Sequence, residues 1–277
     1  MQKNILLTGA SSGIGKAIAE LLAQNEYKVF ATVRKEDDKI SIEKLHSNIH
    51  CFLVDVTSES DLQCLKSDII AEADELFAII NNAGVAYTGI MECANIDELK
   101  EQFDINTFAP LRIVKEFLPM MNEGKIINMS SISSSVVYPF ISPYCASKRS
   151  LDIFFQALDI EIDNPKIKIV SIKPATIKTP IWEKSHKAAR ERFEKLPLNI
   201  QEKYKPILEK LLARSEKSAE NGLEVSKVTS LVLKILNTDN PKKSYPVGTT
   251  SHIAAIFGKL PVEWQVKIAK KAMHFYR

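Results

Sequence analysis

The sequence predicts an α/β fold: a doubly wound parallel sheet with helices on both faces, built as a single domain over residues 1–277. Three observations predict it. Six short apolar runs, each the length of a buried strand, alternate with segments whose apolar residues recur every three to four positions. The first run passes straight into a glycine-rich turn that opens a helical segment, the context in which a βα unit holds a dinucleotide. The composition suits a packed core, with 45% of the 277 residues hydrophobic and 26% charged.

Ile5-Leu6-Leu7 reads as the first buried strand. Thr8-Gly9-Ala10-Ser11-Ser12-Gly13-Ile14-Gly15 follows, and Ile14, Ile18, Leu21 and Leu22 then recur at helical spacing. Such a turn lets backbone approach a pyrophosphate, and the helix N-terminus offers free N–H groups. The second strand, Lys28–Val33, runs into Arg34 and Lys35. An acidic residue at this strand end binds the ribose 2′-hydroxyl of NAD, whereas arginine accommodates the 2′-phosphate of NADP. Arg34 therefore favours NADP(H) over NAD(H); Asp37 and Asp38 lie too far along to compete.

Cys51–Val54 is the third strand, leading to Asp55-Val56 and to Thr57 or Ser58 as cap of a helix bearing Leu62, Leu65 and Ile69. Leu76–Ile80 is the fourth, running into Asn81-Asn82-Ala83-Gly84, small residues at the strand end where open parallel sheets bind ligands. One long helix is expected over Asp97–Leu118, with Asn106 inside it and Pro110 placed to kink it. Lys125–Met129 is the fifth strand and ends in Ser130-Ser131. The next helix holds Tyr144-Cys145-Ala146-Ser147-Lys148 and continues as a stripe of Leu151, Phe154, Phe155, Leu158 and Ile162. Ile167–Ile172 is the sixth, closed by Lys173-Pro174-Ala175-Thr176-Ile177-Lys178-Thr179.

From about residue 180 a helical, substrate-binding extension is expected, broken at Pro197 and Pro206 and containing a helix over Val225–Leu236. Ser244–Val247 reads as an edge strand because of its proline, and Thr250 or Ser251 as the cap of a terminal helical region. That region combines Trp264, Val266, Ile268 and Phe275 with Lys267, Lys270 and Lys271. Packing on its own core is the favoured expectation, ahead of contact with a membrane surface.

Tyr144 and Lys148, four residues apart on a helix, share one face. An ammonium beside a phenol favours the ionised form, so the spacing predicts a tyrosine pKa lowered from near 10 toward the range of an acid/base catalyst. Ala146 and Ser147 are expected to be replaceable without touching that geometry. The net charge of +3, without a dense Lys/Arg block, argues against nucleic acid. Cys51, Cys64, Cys93 and Cys145 lack metal-site spacing, so no metal is expected, and they fit a reduced, cytoplasmic protein. The apolar stretch after Met1–Asn4 is too short for a signal peptide or a membrane span.

Together, Thr8-Gly9-x-x-x-Gly13-x-Gly15, Asp55, Asn81-Asn82-Ala83-Gly84, Asn106, Ser131, Tyr144-x-x-x-Lys148 and Pro174–Thr179 resemble the classical short-chain dehydrogenase/reductase family over the first two-thirds of the chain. The resemblance implies a Rossmann-like fold and hydride transfer between NADP(H) and a small-molecule carbonyl or alcohol. It implies that Tyr144 is the general acid/base, that Ser131 bonds the carbonyl oxygen, that Lys148 binds the nicotinamide ribose, and that Asn106 holds a relay water. Gly9, Ser11, Ser12, Gly13, Ile14 and Gly15 would hold the pyrophosphate side. Asp55 and Val56 would contact adenine, and Asn82, Ala83 and Gly84 would line the adenosine and ribose. Pro174, Ile177 and Thr179 would meet the nicotinamide, with Ala175 adding a methyl where the family has glycine. The turn also lacks the basic residue that often precedes its second glycine. A weaker likeness, through Ala31-Thr32-Val33-Arg34 and the long C-terminal region, is to hydroxysteroid and retinol dehydrogenases. It suggests a fairly apolar steroid-, retinoid- or aromatic-like substrate in a pocket of Phe140, Ile181, Trp182 and C-terminal residues. A 3-oxoacyl reductase and a non-catalytic NADP(H)-binding sensor are the alternatives. The family implies a homodimer or homotetramer.

Overall fold

The apolar runs become strands because they are apolar on both faces, and the segments between them become helices because they are apolar along one stripe. In the computed structural model, which describes residues 2–274, β1 (Asn4–Leu7), β2 (Lys28–Val33), β3 (Ile49–Leu53), β4 (Ala78–Asn81), β5 (Gly124–Met129), β6 (Ile167–Pro174) and β7 (Ser244–Val247) form one sheet. Its order is β3-β2-β1-β4-β5-β6-β7, and every adjacent pair is parallel. The helices are α1 (Gly13–Gln24), α2 (Glu36–Glu43), α3 (Glu59–Glu72), α4 (Ile96–Phe103), α5 (Ala109–Phe117), α6 (Ser142–Glu161), α7 (Ile181–Glu194), α8 (Leu198–Glu220), α9 (Ser226–Leu236), α10 (Thr249–Phe257) and α11 (Val262–His274).

Successive strand residues face opposite sides, so the sheet feeds two apolar layers. Leu7, Val29, Ile80 and Ile127 pack with Ile18 and Leu22 of α1 and Val228 and Val232 of α9. Leu6, Phe30, Ile79 and Ile126 pack on the other side with Ile69 of α3, Phe117 of α5 and Phe155 of α6. That is the doubly wound arrangement the alternating pattern predicts. The strand order reverses at β1, which pairs Leu7 with Ala31 of β2 on one side and with Ile80 of β4 on the other.

Several expectations change. α2 was not foreseen: Glu36, Asp37 and Asp38 occupy its first turn, where carboxylates complement the positive helix end, so the acidic pair has a local structural role. The long helix over 97–118 is α4, a π turn (Asp104–Phe108) and α5. The irregularity precedes Pro110, which sits in the first turn of α5, where a missing N–H costs little. Pro197 caps α8, but Pro206 lies inside that helix and does not break it. Ser58 is the cap of α3, accepting from Asp61 N at 3.2 Å. Gly248, at φ 94°, precedes α10, so Thr250 and Ser251 lie within the helix; Ser251 Oγ donates instead to Lys173 O at 2.7 Å. Four apolar side chains of the tail are not packed on the core as expected: Val262, Trp264, Val266 and Ile268 of α11 are all exposed. Gln265 ties α11 back through Leu260 O at 2.8 Å, and Phe275 lies outside the described residues. Among the described residues no helix is long and apolar enough to cross a membrane.

Phe154 also departs from its expected stripe. It is 40% exposed, whereas its neighbour Phe155 is 1% exposed in the second core layer. Phe155→Ala is expected to lower unfolding free energy by about 3–5 kcal/mol, and Phe154→Ala by less than about 1 kcal/mol. Urea unfolding of the two variants checks this.

Candidate active site

The loops after β1 and β4 are locked to each other. Thr8 Oγ1 accepts from Asn82 N and Ala83 N, both at 3.1 Å, and Asn82 Nδ2 donates to Thr8 O at 3.1 Å and Gly9 O at 2.9 Å. Gly9, at φ 69°, is pressed so closely on the second loop that a Cβ would lie 2.7 Å from Ala83 Cα. A β-carbon on Gly15 would run into the Gly9 carbonyl. The turn therefore leaves α1 with an open N-terminus facing the crevice where the strand order reverses.

Beside this clamp, the π turn brings in Asn106, and α6 brings in Tyr144 and Lys148. Asn106 is fully buried; its Oδ1 accepts from Val85 N at 2.9 Å, and its Nδ2 donates to Val85 O at 2.8 Å and Ser147 Oγ at 3.0 Å. Ser147 Oγ donates in turn to Tyr144 O at 2.9 Å, and Thr107 Oγ1 donates to Ser147 O at 3.0 Å. Ser147 is thus a fixed link between Asn106 and the Tyr144 backbone, contrary to the expectation that it is freely replaceable. Lys148 Nζ donates to Met129 O at 2.8 Å and lies 5.9 Å from the centroid of the Tyr144 ring. Both Asn106 Oδ1 and Lys148 Nζ face Gly84, at 3.1 and 3.4 Å from where its β-carbon would stand.

The electrostatics reverse one expectation. Burial pushes the Tyr144 phenol up to about 12, against a smaller lowering from the Ser131 hydroxyl. Burial also pulls Lys148 down to about 8, opposed by the Asp152 carboxylate one turn further along α6. Withdrawal from water disfavours either charged form more than the pair assists it, so the tyrosine pKa rises where the spacing predicted a fall.

Tyr144 and Lys148 share one cleft of about 390 Å³ with the glycine turn. Gly9, Ser11, Ser12, Gly13, Ile14 and Gly15 form one end together with Arg34, and Asp55 and Val56 stand beside them. Asp55 Oδ1 also accepts from Thr57 N at 2.9 Å, closing its own turn. Asn82, Ala83 and Gly84 line the middle, and Tyr144, Lys148, Pro174 and Thr179 also face the cleft. Three expected residues do not line it. Asn106 and Ser131 are absent from the lining, although the Ser131 hydroxyl reaches the Tyr144 phenol and caps a short turn by accepting from Ser133 N at 3.1 Å. Ile177 is buried in the first core layer and gives its carbonyl to Trp182 Nε1 at 2.8 Å. Ala175 and the expected pocket residues Phe140 and Trp182 are also absent from the lining; the Ala175 methyl faces Gly248. Ser130 lines the cleft in their stead, with a buried hydroxyl that has no hydrogen-bond partner among the described residues. Val85, Tyr87, Ile105, Ala188 and Arg192 complete the wall with Ile181, and were missed because they lie between motifs.

The model of the short chain dehydrogenase family matches residues 3–190. The chain belongs to this family. A short-chain dehydrogenase/reductase is an NAD(P)-dependent oxidoreductase that interconverts carbonyl and alcohol on a small molecule, and this chain is one. It is 31% identical over 271 residues to the uncharacterized oxidoreductase YusZ of Bacillus subtilis (strain 168), covering 94% of each chain. It is 31% identical over 247 residues to the 3-ketodihydrosphingosine reductase of Bacteroides thetaiotaomicron, covering 88% of this chain and 87% of that one. It is 33% identical over 190 residues to the NADPH-dependent 3-dehydrocapnine reductase of Ornithobacterium rhinotracheale, covering 65% and 67%. A short-chain dehydrogenase structure from Streptomyces avermitilis superposes with a TM-score of 0.78 at 20% identity, over 99% of this chain and 97% of that one.

Between pH 8 and 10.5 the unfolded dehydrogenase holds a proton on Lys148 that the folded one has released. Stability contributed by this position therefore rises with pH across that window. Relative to Lys148→Met, which abolishes the titration, the wild type is expected to gain up to about 3 kcal/mol between pH 7.5 and 10. Paired urea unfolding at each pH measures it.

Proposed function

We propose that the chain is an NADPH-dependent reductase of a ketone attached to a long or bulky apolar group. One observation carries the reading: a single cleft holds a glycine turn and Arg34 at one end, and Tyr144 with Lys148 along its wall. The close approach at Gly9 and Gly15 fits a pyrophosphate, and the exposed guanidinium of Arg34 fits a 2′-phosphate. When bound, the dinucleotide supplies the hydride. Thr179 and Pro174 stand where the nicotinamide side of the cleft is expected, and Lys148 is the group to hold the ribose.

Tyr144 suits the reductive direction. With its pKa near 12 the phenol is protonated at neutral pH, ready to donate to a carbonyl oxygen as negative charge develops there. Ser131 touches the same phenol and would share that oxygen. Asn106, its amide taken up by Val85 and Ser147, serves by pinning the loop after β4 to α6. We read the chain as one domain in which α7, bearing Ile181, Ser185, Ala188 and Arg192, forms the substrate-facing part of an extension that starts near residue 180. Val85, Ala86, Ile105, Ile181 and Ala188 offer an apolar bed. The names of two relatives, reductases of 3-ketodihydrosphingosine and 3-dehydrocapnine, support a ketone on a long chain, and one of those names specifies NADPH. A homodimer or homotetramer through α5 and α6 belongs to the same reading; Phe108 and Phe154 stand exposed there with ring centroids 6.5 Å apart.

NADPH oxidation over a panel of long-chain, steroid, retinoid and short ketones tests it. Tyr144→Phe is expected to lose about 100-fold or more in kcat while NADPH binding, read by fluorescence, persists. Binding without turnover of any ketone would favour a nucleotide sensor. Arg34→Glu is expected to raise KM for NADPH by about 10- to 100-fold and to leave NADH largely unaffected; equal losses with both cofactors would remove Arg34 from the 2′-phosphate site.

A further inference from the structure

Asp152 lies four residues after Lys148 on α6, hence on the same face of the helix, and both are buried, at 3% and 4% exposure. Among the described residues neither carboxylate oxygen accepts a directed hydrogen bond, although Lys173 Nζ of β6 lies 2.7 Å from Oδ2. A carboxylate so deep is normally saturated with donors, because burying an unsatisfied charge is costly. This one is held by charge alone. It also lines a second cavity of about 190 Å³, with Arg149, Lys173 and Lys259 around it and Ser134 and Ser135 at its wall. Lys148 is therefore the innermost member of a row of charges running from the cleft wall, through Asp152, to an opening that the cofactor cleft does not share.

We propose that Asp152 is a positioning residue of the reductase: it holds Lys148 in its charged form, and Lys173 sets how much of the Asp152 field Lys148 receives. The inference rests on the reading of Lys148 as a cofactor-binding cation. The physics is a competition. Burial alone drives Lys148 toward the neutral amine, which could not hold a ribose hydroxyl as firmly or keep positive charge beside the Tyr144 ring. Asp152 opposes that, and it is the one acidic group that affects Lys148 appreciably. On the elements packed against α6, Asp97 and Lys100 of α4 pair with each other at 3.0 Å, and Lys168 of β6 is a cation and cannot favour a charged Lys148. Asp104 of the π turn pairs with Arg112 of α5 at 2.6 Å, Glu98 of α4 pairs with Arg192, and Glu101 of α4 interacts with Tyr87. On α6 itself, Arg149 Nη1 reaches toward Ser134 O at 3.4 Å, and Tyr144 is protonated.

A merely structural Asp152 would affect stability and nothing else, so the test reads ionisation directly. Lys148 is followed by NMR of 13C-labelled lysine across pH 6–11, assigned with Lys148→Arg, in wild type, Asp152→Asn, Asp152→Glu and Lys173→Met. Asp152→Asn is expected to move the Lys148 titration down by about one unit or more, Asp152→Glu to restore it, and Lys173→Met to move it upward. In NADPH-dependent reduction, kcat/KM of Asp152→Asn is expected to fall about 10-fold at pH 8 and much less at pH 6.5. Should Asp152→Asn fail to fold, the opposite shift in Lys173→Met decides the matter alone. An unmoved Lys148 titration in every folded variant overturns the proposal. A moved titration with an unchanged rate profile upholds the coupling and overturns the assignment of Lys148 to cofactor binding.

Discussion

Strand β1 is hydrogen-bonded to β2 on one side and β4 on the other, and the chain leaves its carboxyl end toward α1 and returns at the far end of β4 from the opposite face of the sheet. The two loops therefore part and open a crevice at the point where the strand order reverses. Thr8 and Gly9 on one side and Asn82 and Ala83 on the other stitch its floor across the gap with four hydrogen bonds. Every other part of the site is referenced to that floor. α1 presents its N-terminus over it, Asn106 pins the next residues of the same loop, and α6 hangs from Asn106 through Ser147. Displacing the floor would displace the phenol, although no bond joins them directly.

The protonation of the cleft's tyrosine and lysine depends on dryness as much as on placement. Tyr144 and Lys148 are four residues apart, yet each is governed first by withdrawal from water and only second by a neighbour: Ser131 for the phenol, Asp152 for the ammonium. Burial keeps the phenol protonated at neutral pH, whereas the lysine keeps its charge against burial, with Asp152 opposing the loss. Burial disfavours the charged form of each, so it raises the pKa of a phenol that ionises to an anion and lowers that of an ammonium that becomes neutral on losing its proton. One environment thus prepares two groups in different ways.

Much of this was legible from residue order alone. β2 was read to the residue, and the glycine turn, the Asn82–Gly84 loop and the Tyr144–Lys148 pair fall in one cleft, because those segments act locally and their spacing is fixed by a strand end or a helical turn. What escaped notice depends on contacts distant in sequence. Ile177 looks like a loop residue beside the cofactor, but a bridge to Leu223 draws it into the core. Ser147 looks like a spacer until Asn106, 41 residues away, is placed against it. The sign of the Tyr144 shift needed the depth of the pocket, which no spacing encodes. Pro206 inside α8 and the exposed Trp264 of α11 are the converse: local rules for proline and for apolar residues were overruled by a helix and a surface that local rules could not see.

The contact of Gly9 with Ala83 has a consequence for how such a sequence can vary. A β-carbon at position 9 would lie 2.7 Å from the Ala83 Cα, and position 9 has no atom left to surrender. Any bulk added on the β4 loop at that point must find room elsewhere. Divergence in this region thus runs in one direction only: change can accumulate in α7 and the distant wall, while the seam between the first and fourth strands behaves as a ratchet already at its last tooth.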